Sequence, residues 1–434
     1  RELLNSPLLF YVVTLVGISN GFILPFLKKI NAEITGSYFA IALGEALFII
    51  ALATMGMPWG IVFDVVENRK IPMICALECS ALFVFLTSQA TMPHQYVIFR
   101  LLTGFFASAV YPFIISVATD IYGPGRRVYI FLLVGLVMNI MVGIGVAIAL
   151  FLSYFVSWRH VITIYSEILA CGSLFLCLMS EPRRGQADAG MRYGWPPITL
   201  RGGIELVLVL KKKTNILLAL QGFFGSVPWG AIGLFLIYAV AERLAVGFLT
   251  ASAIMALCGL AYPFSLALAP RVDRLRESGK YMQLVGVGMA LIILQTISFI
   301  MAICIPLSRF NVSSETLTES LVIVPAMLSH PSIIAMLACY CAFLLAASLV
   351  GPITRNIIAD VNMPRSRATA LVTIRLSENL GNAVGLVIAG MLVDSYGSFV
   401  APLKIISISW ILCALLWIPI LRHYARDATN SAGL

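Results

Sequence analysis

Residues 112–127 read PFIISVATDIYGPGRR, and residues 352–367 read PITRNIIADVNMPRSR. A proline, an aspartate, a second proline and an arginine recur in the same order and spacing, each 240 positions from its counterpart. Two further pairs keep this distance, Asn139 with Asn379 and Gly145 with Gly385. Six matches without slippage indicate a structural unit that the chain uses twice.

The composition of the 434-residue chain is strongly apolar, with 60% hydrophobic residues, 11% charged residues and a mean hydropathy of +0.97. Soluble domains have about 45–50% apolar and about 25% charged residues, so a soluble enzyme is excluded. The apolar residues extend along the whole chain, which excludes a protein with a single anchor. Their long continuous runs predict membrane-spanning helices rather than the alternating short segments of a β-barrel.

Twelve apolar segments predict the domain organisation. They are residues 7–27, 35–63, 71–91, 94–121, 128–155, 158–180, 214–241, 245–270, 281–306, 331–360, 366–394 and 398–422. The prediction is an all-α integral membrane protein, with twelve transmembrane helices as two six-helix bundles related by a pseudo-two-fold axis along the membrane normal. The bundles are residues 1–180 and 214–434, and residues 181–213 form a cytoplasmic central loop.

The net charge of +9 would favour an anionic partner in a soluble protein, whereas in a membrane protein it reflects basic residues kept in cytoplasmic loops. With the N-terminus inside, 20 of the 29 Lys and Arg residues fall on the inner side and 6 on the outer side. We therefore expect both termini in the cytoplasm and no nucleic-acid partner. The nine cysteines lie within apolar runs, so neither a metal site nor a cofactor is predicted.

Residues 60–70, GIVFDVVENRK, resemble the G-x-x-x-D-x-x-x-x-R-K/R loop of the major facilitator superfamily. Arg100-x3-Gly104 resembles a second signature of that family, and residues 269–274 resemble a degenerate copy of the loop. The resemblance implies a transporter without enzymatic activity, in which two halves rock about a substrate site near the bilayer midplane.

A narrower resemblance concerns residues 180–185, SEPRRG, and residues 225–230, GSVPWG, which are similar to Spinster-like transporters and nearby branches. It implies a lysophospholipid or related amphiphile as substrate. The acidic residues usual in that group are replaced by residues 19–21, SNG, and 105–107, FFA, so proton coupling at those positions is not implied. The alternatives are a small organic anion, drug or other polar metabolite as substrate, or a non-transporting receptor or scaffold.

The expected partners are the substrate, membrane lipid and a coupling proton or ion, and the protein is expected to be a monomer. The expected location is the plasma membrane or an endolysosomal or vacuolar membrane.

The eleventh segment carries four polar residues at helical spacing, namely Arg375, Glu378, Asn379 and Asn382. Positions i, i+3, i+4 and i+7 share one face of a helix. A polar face among lipid-surrounded helices must contact protein or water. The stripe therefore predicts a substrate cavity, and the alternative is an Arg375–Glu378 pair that only holds helices together.

Two charges in the first half lie at similar depth. Glu45 is about ten residues into its segment and Arg100 about six into its own, which at ~1.5 Å per residue gives a depth difference of roughly 6 Å. We predict an ion pair between them, with Arg100 near the substrate path. A static buried pair is the alternative.

The family resemblance implies further functional residues. The remaining candidates for substrate binding lie in segments one, five, seven and ten, and are Asn20, Asn139, Gln221, Trp229 and Tyr340. The candidates for gating at the cytoplasmic side are Asp64, Arg69, Asp120, Arg127, Asp360 and Arg367. The resemblance implies this role for Asp64, Arg69 and Asp120, whereas Asp360 and Arg367 repeat the pattern in the second half. The alternative is that these charges only anchor the topology. Asp120 is expected to pair with Arg69 or Arg127, Asp360 with Arg367, and Asp64 is expected to lie against the N-terminus of segment eleven.

Overall fold

The computed structural model describes residues 2–182, 184, 211–259, 281–312, 317–362 and 367–432, with the single positions 261, 264 and 268. Within these helices some side chains are outside the description, among them those of Asn20, Arg127, Asn139 and Arg367. The regular structure of the described part is helical, apart from one isolated parallel bridge between Val246 and Val312. The chain divides into two compact units, Arg1–Ile198 and Thr199–Leu434.

The described part of the first unit contains eight α-helices. They are α1 (Glu2–Gly21), α2 (Leu27–Ile30), α3 (Tyr38–Val65), α4 (Lys70–Gln89), α5 (Pro93–Ala107), α6 (Val110–Ile121), α7 (Pro124–Leu152) and α8 (Trp158–Leu174). Short 3-10 and π turns flank α2, and a 3-10 turn extends α8 to Leu178. The main packing pairs are α1 with α7, α3 with α5, and α4 with α8.

The second unit contains the remaining α-helices of the described part. They are α9 (Lys213–Leu244), α10 (Phe248–Cys258), α11 (Tyr281–Cys304), α12 (Leu317–Met327), α13 (Pro331–Val361), α14 (Arg367–Tyr396), α15 (Val400–Ile406) and α16 (Ser409–Ala432). Here α9 packs along α14, and α11 packs against α13 and α16.

Ten helical segments of the described part are long and apolar enough to cross a membrane. They are Tyr38–Val65, Lys70–Gln89, Pro93–Ile121, Leu133–Leu152, Trp158–Leu178, Lys213–Leu244, Met282–Cys304, Pro331–Ile358, Thr369–Tyr396 and Val400–Tyr424. Two shorter apolar helices, Pro7–Ile18 and Phe248–Cys258, fall on the predicted first and eighth segments. The all-helical membrane class is confirmed, whereas twelve spans in two symmetric bundles stay a prediction.

Glycines bring α9 and α14 into backbone contact. A Cβ added to Gly385 would collide with the carbonyl oxygen of Val227, and one added to Gly230 would collide with that of Asn382. Only glycine allows two helices to approach this closely without displacing backbone. Gly385, a member of the sequence repeat, therefore serves close helix packing.

The same contact occurs between α1 and α7 of the first unit. A Cβ on Gly145 would collide with the carbonyl oxygen of Ile18, and one on Gly21 would collide with that of Val142. Gly145 and Val142 lie 240 positions before Gly385 and Asn382, while Ile18 and Gly21 lie 209 positions before Val227 and Gly230. The repeat in the sequence is thus also a repeat of one helix-packing contact.

The glycine contact can be tested with two alanine variants in α7. We expect Gly145→Ala to lower the thermal unfolding midpoint of the detergent-solubilised protein, because overpacking against backbone costs about 1–3 kcal/mol. Gly143→Ala is the matched control, since nothing lies within 4 Å of a Cβ at that position. It should be neutral or stabilising because alanine favours helix over glycine by ~1 kcal/mol. Equal midpoints for the two variants would contradict the contact.

Candidate functional site

A cavity of about 300 Å³ lies within the second unit, between α9, α11, α13 and α14. Small and apolar residues form part of its wall. The polar part of its lining consists of Gln221, Ser226, Trp229, Gln295, Thr354, Arg375, Glu378, Asn379 and Asn382. A pocket of this size with a few convergent polar groups is typical of a small-molecule site.

All four residues of the predicted α14 stripe line this cavity. Arg375 Nη1 lies 3.0 Å from Glu378 Oε2, and the two side chains are 66% and 27% exposed. Both interpretations of the stripe therefore hold in part, since the ion pair forms and also faces the cavity. An exposed i, i+3 pair contributes only ~0.2–0.5 kcal/mol, so it can open readily.

The α9 wall contains the two predicted residues Gln221 and Trp229. The amide nitrogen of Gln221 donates to Cys413 Sγ at 3.1 Å. The indole of Trp229 stacks on Phe343 with ring centroids 5.2 Å apart and meets Trp410 edge-on at 6.3 Å. These aromatic contacts limit the motion of the Trp229 ring where it meets the cavity.

Three polar lining residues were missed by the sequence analysis, namely Ser226, Gln295 and Thr354. Gln295 stands within the long apolar run of α11, and the cost of an amide in hydrocarbon is the signal that could have identified it. Ser226 and Thr354 carry weaker signals, because a hydroxyl in a membrane helix can bond to its own backbone. Thr354 does so, donating to Val350 O at 3.1 Å.

The predicted binding residue Tyr340 lies outside the cavity lining. Its side chain is only 1% exposed, and its ring packs against Phe299 with centroids 6.0 Å apart. It is not part of the cavity lining, so the structure does not bring it together with Trp229 and the α14 stripe. The side chains of Asn20 and Asn139 lie outside the described residues, and their roles remain predictions.

The predicted Glu45–Arg100 ion pair forms in the first unit. Arg100 Nε donates to Glu45 Oε1 at 2.7 Å and Arg100 Nη2 to Glu45 Oε2 at 2.5 Å, which is the bidentate geometry of a strong pair. The hydroxyl of the buried Tyr96 donates to the same carboxylate at 2.8 Å. The guanidinium also lies 4.3 Å from the centre of the Phe48 ring. Arg100 thus has its charge compensated within the unit.

Arg69 is the centre of a second charged cluster in the first unit. Its side chain is 2% exposed and lies 2.6 Å from both Asp120 and Glu181. It also donates to Ser116 Oγ at 2.7 Å. The predicted pairing of Asp120 with Arg69 is confirmed. Glu181 was not predicted as a partner of Arg69.

The other gating candidates have varied surroundings. Asp64 is exposed, and its backbone oxygen accepts from Arg184, which also bonds Phe63 O and Val66 O and so caps the C-terminus of α3. Asp360 accepts a hydrogen bond of 2.8 Å from the hydroxyl of Tyr424. The side chains of Arg127 and Arg367 lie outside the described residues, so their pairings stay predictions.

The chemistry of the cavity is that of binding. Its described lining supplies one guanidinium, one carboxylate, four carboxamides, two hydroxyls and an indole. Among the described residues no group of three or more His, Cys, Asp and Glu side chains is placed to hold a metal ion.

The Glu45–Arg100 pair can be tested by removing one member or both. Glu45→Leu should lower the free energy of unfolding by about 3–5 kcal/mol, because it leaves a buried guanidinium without its counter-charge. The double variant Glu45→Leu/Arg100→Met should recover much of that loss, measured as the thermal midpoint in detergent. A double variant no more stable than the single one would contradict a mutually compensating buried pair.

Comparison with known proteins identifies the fold. The model of the Major Facilitator Superfamily matches residues 9–314. A bacterial homologue of the human lysosomal transporter Spinster, in an inward-facing and occupied conformation, superposes with a TM-score of 0.64 and 16% identity over 97% of each chain. The nucleoside transporter NupG gives a TM-score of 0.66 and 16% identity over 96% of this chain and 98% of its own. A search of curated proteins finds no match.

At these identities the solved structures show the fold alone, whereas the family match covers most of the sequence. It agrees with the loop motif of residues 60–70 and with the ten long apolar helical segments of the described part. The protein is therefore a multi-pass integral membrane protein, and it belongs to the Major Facilitator Superfamily of transporters.

Proposed function

We propose that this protein is a secondary active transporter that moves a small organic solute by alternating access, with the cavity of the second unit as part of its substrate site. The observation that carries the proposal is the α14 stripe of Arg375, Glu378, Asn379 and Asn382, which lines that cavity. Twelve spans, a monomer and cytoplasmic termini complete the proposal.

The energetic cost of the charged stripe residues favours a transporter over a non-transporting scaffold. An ionised side chain in the middle of a membrane helix costs ~2.5–3.5 kcal/mol on insertion scales. The Arg375–Glu378 pair returns only about 0.2–0.5 kcal/mol at its exposure. Because these charges contribute so little to stability, we expect that they are retained for their interactions with water and ligand in a hydrated cavity.

The Arg69 cluster supports movement of the first unit's helix ends as one body. Arg69 precedes α4, Asp120 lies in the last turn of α6, and Glu181 follows α8. Its buried charges tie these three ends together. We propose that this cluster, with Asp64, Arg127, Asp360 and Arg367, forms the cytoplasmic gating apparatus.

The substrate has two competing descriptions. The Spinster-like resemblance implies a lysophospholipid, with Arg100 or Arg375 meeting an anionic head group. Both arginines, however, already bind a carboxylate of this chain, Glu45 and Glu378 respectively. An anionic head group would have to displace Glu45 from the buried pair at Arg100, and at Arg375 it would leave the carboxylate of Glu378 without its counter-charge. The arrangement favours the alternative of a small polar metabolite.

Uptake into proteoliposomes tests transport directly. Purified protein should give saturable accumulation of at least one member of a labelled panel that contains polar metabolites, organic anions and lysolipids. Asn379→Ala should lower that uptake about tenfold or more, because it removes hydrogen bonds to bound solute. Leu380→Ala, an exposed position on the same helix outside the cavity lining, is the matched control. No uptake of any class by folded protein would favour the scaffold.

The topology can be tested separately with protease-cleavable tags at the two ends of the chain. In sealed right-side-out vesicles both tags should resist added protease, and in inverted vesicles both should be cut. Cleavage of one tag in each orientation would exclude an even number of spans.

A further inference from the structure

We propose that the cavity of the second unit takes a net-neutral solute with a planar, hydrogen-bonding ring. The proposal deepens the proposed function, on which it rests, by naming the class of solute. Three independent features of the cavity lead to it, namely its charge balance, its amide groups and its aromatic wall.

The charge balance selects for net neutrality. The described lining contains one cation, Arg375, and one anion, Glu378, which pair at 3.0 Å. A second cation, Arg355, is not part of the lining, although its guanidinium lies beside the lining residue Gly351. An anionic solute that captured Arg375 would leave Glu378 without its counter-charge, and a cationic solute would do the reverse. A neutral solute leaves the pair intact, and a zwitterion replaces each partner with one of its own charges.

The amides select for a solute with adjacent donors and acceptors. Gln221, Gln295, Asn379 and Asn382 all line the cavity. A carboxamide offers both a carbonyl acceptor and an NH₂ donor, so it can match an amide or a ring edge of the same pattern. A site built to hydrogen-bond a solute rejects analogues that lack those groups, because its buried polar atoms are then left unpaired.

The aromatic wall selects for a flat ring. Trp229 forms part of the cavity lining, while Phe343 stacks on its ring and Trp410 meets it edge-on. This support holds the indole in place before any solute arrives, so little ordering entropy is lost when a ring packs against it. Offset stacking of two rings adds to the burial of apolar surface.

The cavity size fits one ring with its substituents. At about 300 Å³ it lies at the lower end of the range for small-molecule sites. The part of the site within the second unit therefore has room for one ring with its substituents.

A matched set of pyridine compounds tests the charge rule on one scaffold. Nicotinamide is neutral, trigonelline is a zwitterion, nicotinate is an anion, and the ring-methylated nicotinamide is a cation. Cyclohexanecarboxamide keeps the amide without the flat ring, and lysophosphatidylcholine is a net-neutral lipid without a ring. Binding of each to the full-length protein in nanodiscs is measured by calorimetry and by thermal shift.

Nicotinamide and trigonelline should each bind with an affinity about tenfold or more above that of nicotinate, of the ring-methylated nicotinamide and of cyclohexanecarboxamide. Preference for a charged form, equal binding of the saturated ring, or binding of the lysolipid alone would overturn the proposal. The absence of binding by both net-neutral pyridines at millimolar concentration would overturn it as well.

Charge variants of α14 test whether Arg375 and Glu378 set the preference among solutes of different charge. A purely structural role of the pair would leave that preference unchanged. Glu378→Gln leaves a single cation in the cavity, so the preference should shift from nicotinamide towards nicotinate. Arg375→Gln should shift it towards the cation. The double variant Arg375→Gln/Glu378→Gln restores neutrality and should bind nicotinamide again. Lys404→Gln, which removes an exposed charge outside the lining, is the control and should change no preference.

The aromatic wall has its own test. Trp229→Leu should weaken nicotinamide binding about tenfold, whereas Trp229→Phe should retain most of it because a flat ring remains. If the thermal midpoints of both variants match that of the parent protein, misfolding does not explain the loss. Equal binding by the two variants would remove ring stacking from the proposal.

Failure of this proposal is distinguishable from failure of the transport function. Saturable uptake of an anion or a lysolipid into proteoliposomes would leave the transporter standing and overturn the solute class. Binding of net-neutral rings in nanodiscs with no uptake of any labelled compound would keep the solute class and overturn transport.

Discussion

Hydrocarbon offers no hydrogen bonds, so every polar group of a spanning helix must find its partner within the protein or in a water-filled cavity. The main features of both units follow from that constraint. Arg100 finds Glu45 within the first unit, and the α14 stripe lies along a cavity of the second. Backbone groups are satisfied within helices, which leaves helix association to close packing. Glycine contacts, among them those at Gly145 and Gly385, supply that packing in each unit.

Much of this could be predicted because the constraint acts on single positions. The spacing of Arg375, Glu378, Asn379 and Asn382 defines one helix face without knowledge of any other helix. The depth of a residue within its span follows from counting, which is enough to pair Glu45 with Arg100. Only the assignment of these groups to substrate binding goes beyond what spacing and depth determine.

Other features depend on which helices meet, and a single sequence carries little of that information. Glu181 reaches Arg69 across 112 positions, and no periodicity connects them. Gln295 faces the cavity, yet a lone amide does not reveal its orientation around the helix. The resemblance places Tyr340 on a helix that lines the family's cavity, but only one face of a helix meets a cavity, and this ring packs against Phe299. Helix membership is therefore a weaker guide than a stripe of several residues.

The central claim is that solute binds against the α14 stripe and Trp229 of the second unit. The most direct test is a structure of the full-length protein in nanodiscs, prepared with the compound that it accumulates in proteoliposomes. We predict density for that compound in the cavity between Trp229 and the Arg375–Glu378 pair. Density at Glu45 and Arg100 alone, with the cavity of the second unit free of solute, would contradict the account.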